Sequence, residues 1–172
     1  MIRSFRGKKP RIAKTAFVSE SAYVIGDVEI GENSSIWHGA VIRADYGKGE
    51  IGGGMKIGNN THIEDNAVVH YTKVIGNNVV VGHGAVVEAV MIGDNVLIGD
   101  NAIVLAPSEV GSFCIIGAGA MVREGMKIPD HSFVVGMPAE IKGEVTVTQM
   151  TTLEKLAANA AALAKEHKKE AF

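Results

Sequence analysis

The chain has 172 residues, a formal net charge of −2, 5% aromatic residues, 21 glycines and a single cysteine. The near-neutral balance gives no electrostatic footprint for nucleic acid, and no apolar run approaches the roughly 20 residues of a membrane span. Cys114 excludes an internal disulfide and suits a reducing compartment. The basic N-terminus lacks the apolar segment of a signal peptide, so a cytoplasmic location is expected.

From the start of the chain an aliphatic residue recurs every six positions: Ile12, Val18, Val24, Ile30, Ile36, Ile42. Six is the period neither of a helix nor of a simple strand. A fixed repeat of this kind predicts a solenoid, whose units bury their faces only by stacking on their neighbours. Glycine and small polar residues between the beats, as in Gly26-Asp27 and Gly31-Glu32-Asn33, supply corners that need permissive backbone. The next step, from Ile42 to Ile51, is nine residues long, so a short loop is expected to protrude there, with Gly52, Gly53 and Gly54 as a turn.

The beat resumes at Ile57 and runs through Ile63, Val69, Ile75, Val81 and Val87. Three such hexads make one triangular coil, so residues 18 apart lie one above the other, about 4.8 Å apart as in laddered strands. His70 and Glu88 differ by 18 and each follows a beat residue, so they stack and point outward on one face. His83 follows its beat residue by two, which places it near a corner, 18 above Asp65. His70 and Glu88 therefore converge, whereas His83 belongs to another face and meets them only through a second copy of the chain. After Val87 the beat arrives one residue early, at Ile92, and continues through Ile98, Val104, Val110, Ile116, Val122, Ile128 and Val134. Cys114, two before Ile116, reads as a small core residue. His62 is read as solvent-facing at a corner, and His38, His131 and His167 as surface or satisfied polar groups.

The tail changes character. Thr151-Thr-Leu-Glu154 has the form of a capping box. Leu153, Leu156, Ala157, Ala160, Leu163 and Ala164 follow at helical spacing. Residues 1–143 are read as the solenoid and 144–172 as linker and packing helix, with the helix over 151–168 and roughly 27 Å long. The fold class is thus an all-β solenoid with a C-terminal α-helix.

The hexad array together with Arg43-Ala-Asp45, His62-Ile-Glu64-Asp65, Val69-His70, Gly82-His83 and Val134-Val-Gly-Met-Pro138-Ala resembles the gamma-class carbonic anhydrase family over about residues 8–142. The resemblance implies a left-handed parallel β-helix, a homotrimer, and metal sites between subunits that interconvert CO2 and bicarbonate. It places His70 and the neighbour's His83 as zinc ligands, with Glu88 where the family's third histidine stands. Glu64 occupies the place of the family's hydrogen-bonding glutamine, where it would orient or deprotonate water, and Arg43 and Asp45 match an intersubunit pair. Zn2+ is the expected cofactor, because zinc accepts two histidines and a carboxylate with a fourth position open to water. The added carboxylates lower the positive charge of the site and favour a harder ion such as Mn2+ or Mg2+ more than three imidazoles would. A weak or lost hydratase activity follows from the same change. Two other classes share the repeat or fit its altered site: a hexapeptide-repeat acyltransferase or coenzyme A thioesterase, and a non-catalytic trimeric assembly or metal-binding protein.

Overall fold

The computed structural model describes residues 1–45 and 54–170. The chain winds as a left-handed parallel β-helix of triangular cross-section. Its short strands stack into three sheets, each taking every third strand of the chain. The first face runs from Ile2–Arg3 through Tyr23–Gly26, Val41–Ala44, Val68–His70, Val86–Val87 and Ile103–Val104 to Met121–Val122. The second carries Met55–Ile57 and Val74–Ile75, and the third carries Ser35–Ile36, His62–Ile63, Val80–Val81 and Leu97–Ile98. The antiparallel strand Glu140–Glu144 folds back on Ser132–Val135 and ends the third sheet.

The beat residues point inward. Ile36, Ile42, Ile57, Ile63, Val69, Ile75, Val81 and Val87 are all 0% exposed, as is Cys114. Each side of a coil buries only its beat residue and the residue two before it, as Val79 with Val81 and Ala85 with Val87, so the core exists only through stacking. Register follows the predicted arithmetic: Ile63 pairs with Val81 and Val69 with Val87, 18 residues on. Above the slip the pairs become Val81 with Ile98 and Val87 with Val104, 17 residues on. Below, Ile36 pairs with Ile63, 27 residues on, so the coil between them holds the extra nine. The expected protrusion and Ile51 lie largely outside the described residues.

The corners use the left-handed backbone region. Asn60, Asn78 and Asn95 have φ of 51°, 54° and 56°. Asparagine tolerates this region better than other side chains, and here the three amides form a ladder, with Nδ2–Oδ1 distances of 3.3 and 3.2 Å. Gly26 has φ of 91°, and a Cβ there would meet the Ala44 carbonyl oxygen at 2.3 Å, so no other residue fits that rung.

The helix, Val147–Glu170, begins four residues before the start expected from the Thr151 motif. Its capping box is Thr146 with Gln149: the Thr146 N–H donates to Gln149 Oε1 at 2.8 Å, and the Gln149 N–H donates back to the Thr146 hydroxyl at 3.3 Å. Thr151 instead donates to the Val147 carbonyl inside the first turns. The helix lies along the third face, over the strands that begin at Phe17, Ser35, His62 and Val80. Leu153 and Ala164 are buried against it, whereas Leu156 and Leu163 remain 45% and 47% exposed. At its far end Lys168 Nζ donates to the carbonyls of Lys14 and Ala16. No described helix is long and apolar enough to cross a membrane.

Candidate metal centre

The first face gathers four of the expected site residues. His70 pairs with Arg43 in the ladder, and the Val69–Val87 pairing sets Glu88 on the rung above His70. The Arg43 guanidinium forks onto the Asp45 carboxylate at 3.1–3.4 Å, and His70 Nε2 lies 3.6 Å from Asp45 Oδ1. The His70 side chain is only 12% exposed. Burial lowers its pKa and the Arg43 charge adds to that, so the neutral, metal-binding form of the imidazole is favoured. Arg43 and Asp45 contact each other within one chain, while the resemblance pairs these positions across subunits.

The others lie on the third face and its corner. His83 Nδ1 is 3.1 Å from Asp65 Oδ2, one rung below, and the His83 backbone N–H donates to Asp100 Oδ1 at 2.9 Å, one rung above. Glu64 precedes Asp65, half-buried beside the helix. Burial drives its carboxyl pKa up to about 7; His83 opposes the rise, and Asp65 and Asp100 reinforce it. Two grooves meet here. One of about 440 Å³ runs beneath the helix and is lined by Trp37, Glu64, Asp65, His83, Asn159 and His167 among others. The second, of about 370 Å³, extends from Glu64 and His83 along Gly82, Gly99 and Gly117 under Leu156. Within one chain the structure thus brings His70, Glu88, Arg43 and Asp45 together, and separately Glu64 and His83. It does not bring the two groups to each other.

One expectation is overturned. His62 does not face solvent at a corner; it is 0% exposed, beneath the helix. Its Nδ1 lies 2.7 Å from Ser35 Oγ, and burial pushes its pKa down to about 4. The position before a beat residue does point outward, as the repeat requires, but on this face the helix replaces water. Asp65 and Asp100 were not among the expected site residues. The 18-residue offset already placed Asp65 under His83; Asp100 lies beyond the slip, 17 residues on, where that arithmetic no longer holds.

The donor set, imidazoles flanked by carboxylates with no lysine or arginine among the residues lining either third-face groove, fits a divalent cation. The model of the GMPPB C-terminal domain matches residues 51–166, and that of the six-repeat bacterial transferase hexapeptide matches residues 9–44. The chain is 36% identical to the mitochondrial gamma carbonic anhydrase 1 of Arabidopsis thaliana over 95% of its own length and 61% of that protein, so it spans about three fifths of this plant relative. It is also 36% identical to a carbonic anhydrase of Geobacillus kaustophilus, over 91% of this chain and 85% of that one. Among solved structures, a hexapeptide transferase family protein from Anaplasma phagocytophilum superposes with a TM-score of 0.87 at 32% identity, covering 96% of each chain. With the hexad coils, the helix and these relatives in agreement, the chain belongs to the gamma carbonic anhydrase-like family of hexapeptide-repeat proteins.

Proposed function

We propose that this protein is a divalent-metal lyase of the gamma carbonic anhydrase type, interconverting CO2 and bicarbonate at sites shared between the subunits of a homotrimer. One observation carries the reading: the candidate ligands divide between two faces, His70 and Glu88 on the first and His83 on the third. A threefold assembly that sets one chain's first face against the third-face corner of the next would close three identical sites. The outward first-face residues Val41, Val68, Val86, Ile103 and Met121 are apolar and half-buried, a surface suited to that contact.

A divalent cation held there, Zn2+ or a harder ion, supplies Lewis acidity toward water. Asp65 fixes the His83 ring through its Nδ1, as carboxylates do behind metal-binding histidines. Glu64, whose carboxyl is raised to about 7 by burial in the ion-free chain, is placed to accept a proton and release it to the groove. Asp45 stands by His70 and is itself clamped by Arg43, which keeps that imidazole oriented. Glu88 brings a negative charge where the family pattern has a neutral imidazole. Water in this centre is therefore less acidic than in a three-histidine site, and the reaction slower near neutrality.

The test is metal analysis and CO2 hydration of the native protein, alongside a Glu88→His/Glu64→Gln variant, with light scattering of both. The expected result is a trimer with one divalent ion per chain and faster hydration by the zinc-loaded double variant. A stable monomer at micromolar concentration, or a folded trimeric double variant that neither binds zinc nor hydrates CO2 above background, overturns the reading.

A further inference from the structure

The helix lies on the third face, and the proposed trimer would occupy the first face and the third-face corner. That leaves the second sheet open. Its outward column is continuous across seven strands: Arg11, Glu29, Lys56, Val74, Met91, Glu109 and Lys127 pair in register, one above the next. Each precedes a beat residue, and at the centre Val74 and Met91 are 38% and 45% exposed. Beside the column, after each beat, stand glycines such as Gly58, Gly76 and Gly93. A Cβ on Gly58 or Gly76 would meet the carbonyl oxygen of the next rung at 2.5 Å, so that side of the sheet carries no side chains. The face is flat, with a single ridge.

From the N-terminal end the ridge reads plus, minus, plus, apolar, apolar, minus, plus. Arg11 reaches Glu29 at 3.4 Å and Lys127 reaches Glu109 at 3.3 Å, while Lys56 has no ion pair among the described residues. This order fits a second copy of the same chain. Sheets packed face to face stand about 10 Å apart, a gap that lysine and glutamate side chains span from the two sides. A twofold axis along the solenoid would set like on like, Lys56 on Lys56 and Glu109 on Glu109. A twofold axis along the strands, passing between Val74 and Met91, reverses the ridge. Val74 then meets Met91, Lys56 meets Glu109 and Glu29 meets Lys127, each contact made twice. Arg11 overhangs the end. The second arrangement alone sets every paired charge on its opposite, which fixes register and rejects the other. An apolar centre inside a charged rim is also how protein interfaces are built.

We infer that the second face is a self-association surface, on which a second copy of this chain sits antiparallel across the Val74–Met91 centre. Six strands from Glu29 to Lys127, about 4.8 Å apart, on a side roughly 18 Å wide cover roughly 400 Å² per partner. That area belongs to transient contacts, so the pairing is weak and follows concentration. It joins whole particles, because the surfaces that would close the trimer lie elsewhere.

The experiment is sedimentation velocity of the full chain from about 5 to about 500 µM, a range suited to contacts of this size. The samples are the native protein, Lys56→Glu, Glu109→Lys, and an equimolar mixture of the two variants. The native protein should form, reversibly, particles at least twice the mass of its basic unit. Each variant alone sets like charges against each other at two contacts and should keep the basic mass at the highest concentration. In the mixture each new charge meets its opposite on the other variant, and association should return. A native protein that keeps one mass throughout, single variants that associate as the native does, or a mixture no better than its components would each overturn the inference. The mass of the basic unit at the lowest concentration, one chain or three, reports separately on the proposed trimer.

Discussion

His62, on the strand His62–Ile63, and Glu64, just past its end, have opposite protonation preferences, and stability should record both. His62 has its pKa lowered from 6.5 to about 4 by burial. Between those values the unfolded chain binds a proton that the folded chain does not, so this group's contribution falls as pH drops below 6.5 and is lost by about 4. The drop is worth about 3 kcal/mol, at about 1.4 kcal/mol per pH unit. Glu64 is raised from 4.5 to about 7, again chiefly by burial. There the folded chain holds a proton that the unfolded chain has released, so its contribution is full below 4.5 and declines as pH rises to about 7. Its size is smaller, about 2 kcal/mol once partial solvent contact is discounted. The two slopes oppose each other across the same window, so metal-free native protein should show little dependence on pH from this pair. Glu64→Gln should expose the His62 slope, losing stability relative to the native protein as pH falls from 6.5 to 4.5. His62→Gln should expose the opposite slope. Urea unfolding of chelator-treated protein at one fixed concentration reads both, since assembly makes stability depend on concentration. Variants whose offset from the native protein is constant between pH 4.5 and 7 would refute the assigned burial of both groups.

Val81→Asp would set a carboxylate between Ile63 and Ile98 at a site 0% exposed, costing several kcal/mol; an unchanged melting curve would show that Val81 does not face the core. Gly26→Ala combines φ of 91° with a 2.3 Å approach to the Ala44 carbonyl, whereas Gly119→Ala at φ 65° meets nothing within 4 Å. Thermal melts should show the second losing only about 1–2 kcal/mol of left-handed backbone cost and the first clearly more, and equal losses would argue against the tight rung beside Arg43 and Asp45.

The coil geometry was legible because a beat of six is a direct image of three equal sides. Register, core residues and the stacking of His83 on Asp65 all follow from adding 18, as does the slip after Val87 from a beat one residue short. The burial of His62 was not legible. His62, Val74 and Met91 all precede a beat residue, yet Val74 and Met91 are 38% and 45% exposed and His62 is not exposed at all. Only the choice of face by the helix separates them, and an apolar stripe does not say which of three similar faces it covers. The stripe itself misleads in part. Small Ala164 packs inward while Leu163 stays largely exposed, because Trp37 and Phe17 fill the space beneath the last turns. The helix start was missed for a simpler reason: Thr146-x-x-Gln149 and Thr151-x-x-Glu154 carry the same signal, and the earlier one is used.

The two departures from the family pattern fall on different faces, Glu88 above His70 and Glu64 beside His83, and that separation has a consequence for the proposed trimer. Each shared site would receive one extra carboxylate from each of two subunits. Two ionised carboxylates around a divalent ion leave no net charge, whereas three imidazoles leave two positive charges. Lewis acidity toward water falls accordingly. Glu64 can moderate this, because burial favours its protonated form while a divalent ion beside it favours the ionised one. Protonated, it leaves one positive charge at the centre; ionised, it becomes the proton acceptor. The same residue thus tunes the centre from the side opposite Glu88, and replacing either one alone would disturb a balance that replacing both should reset.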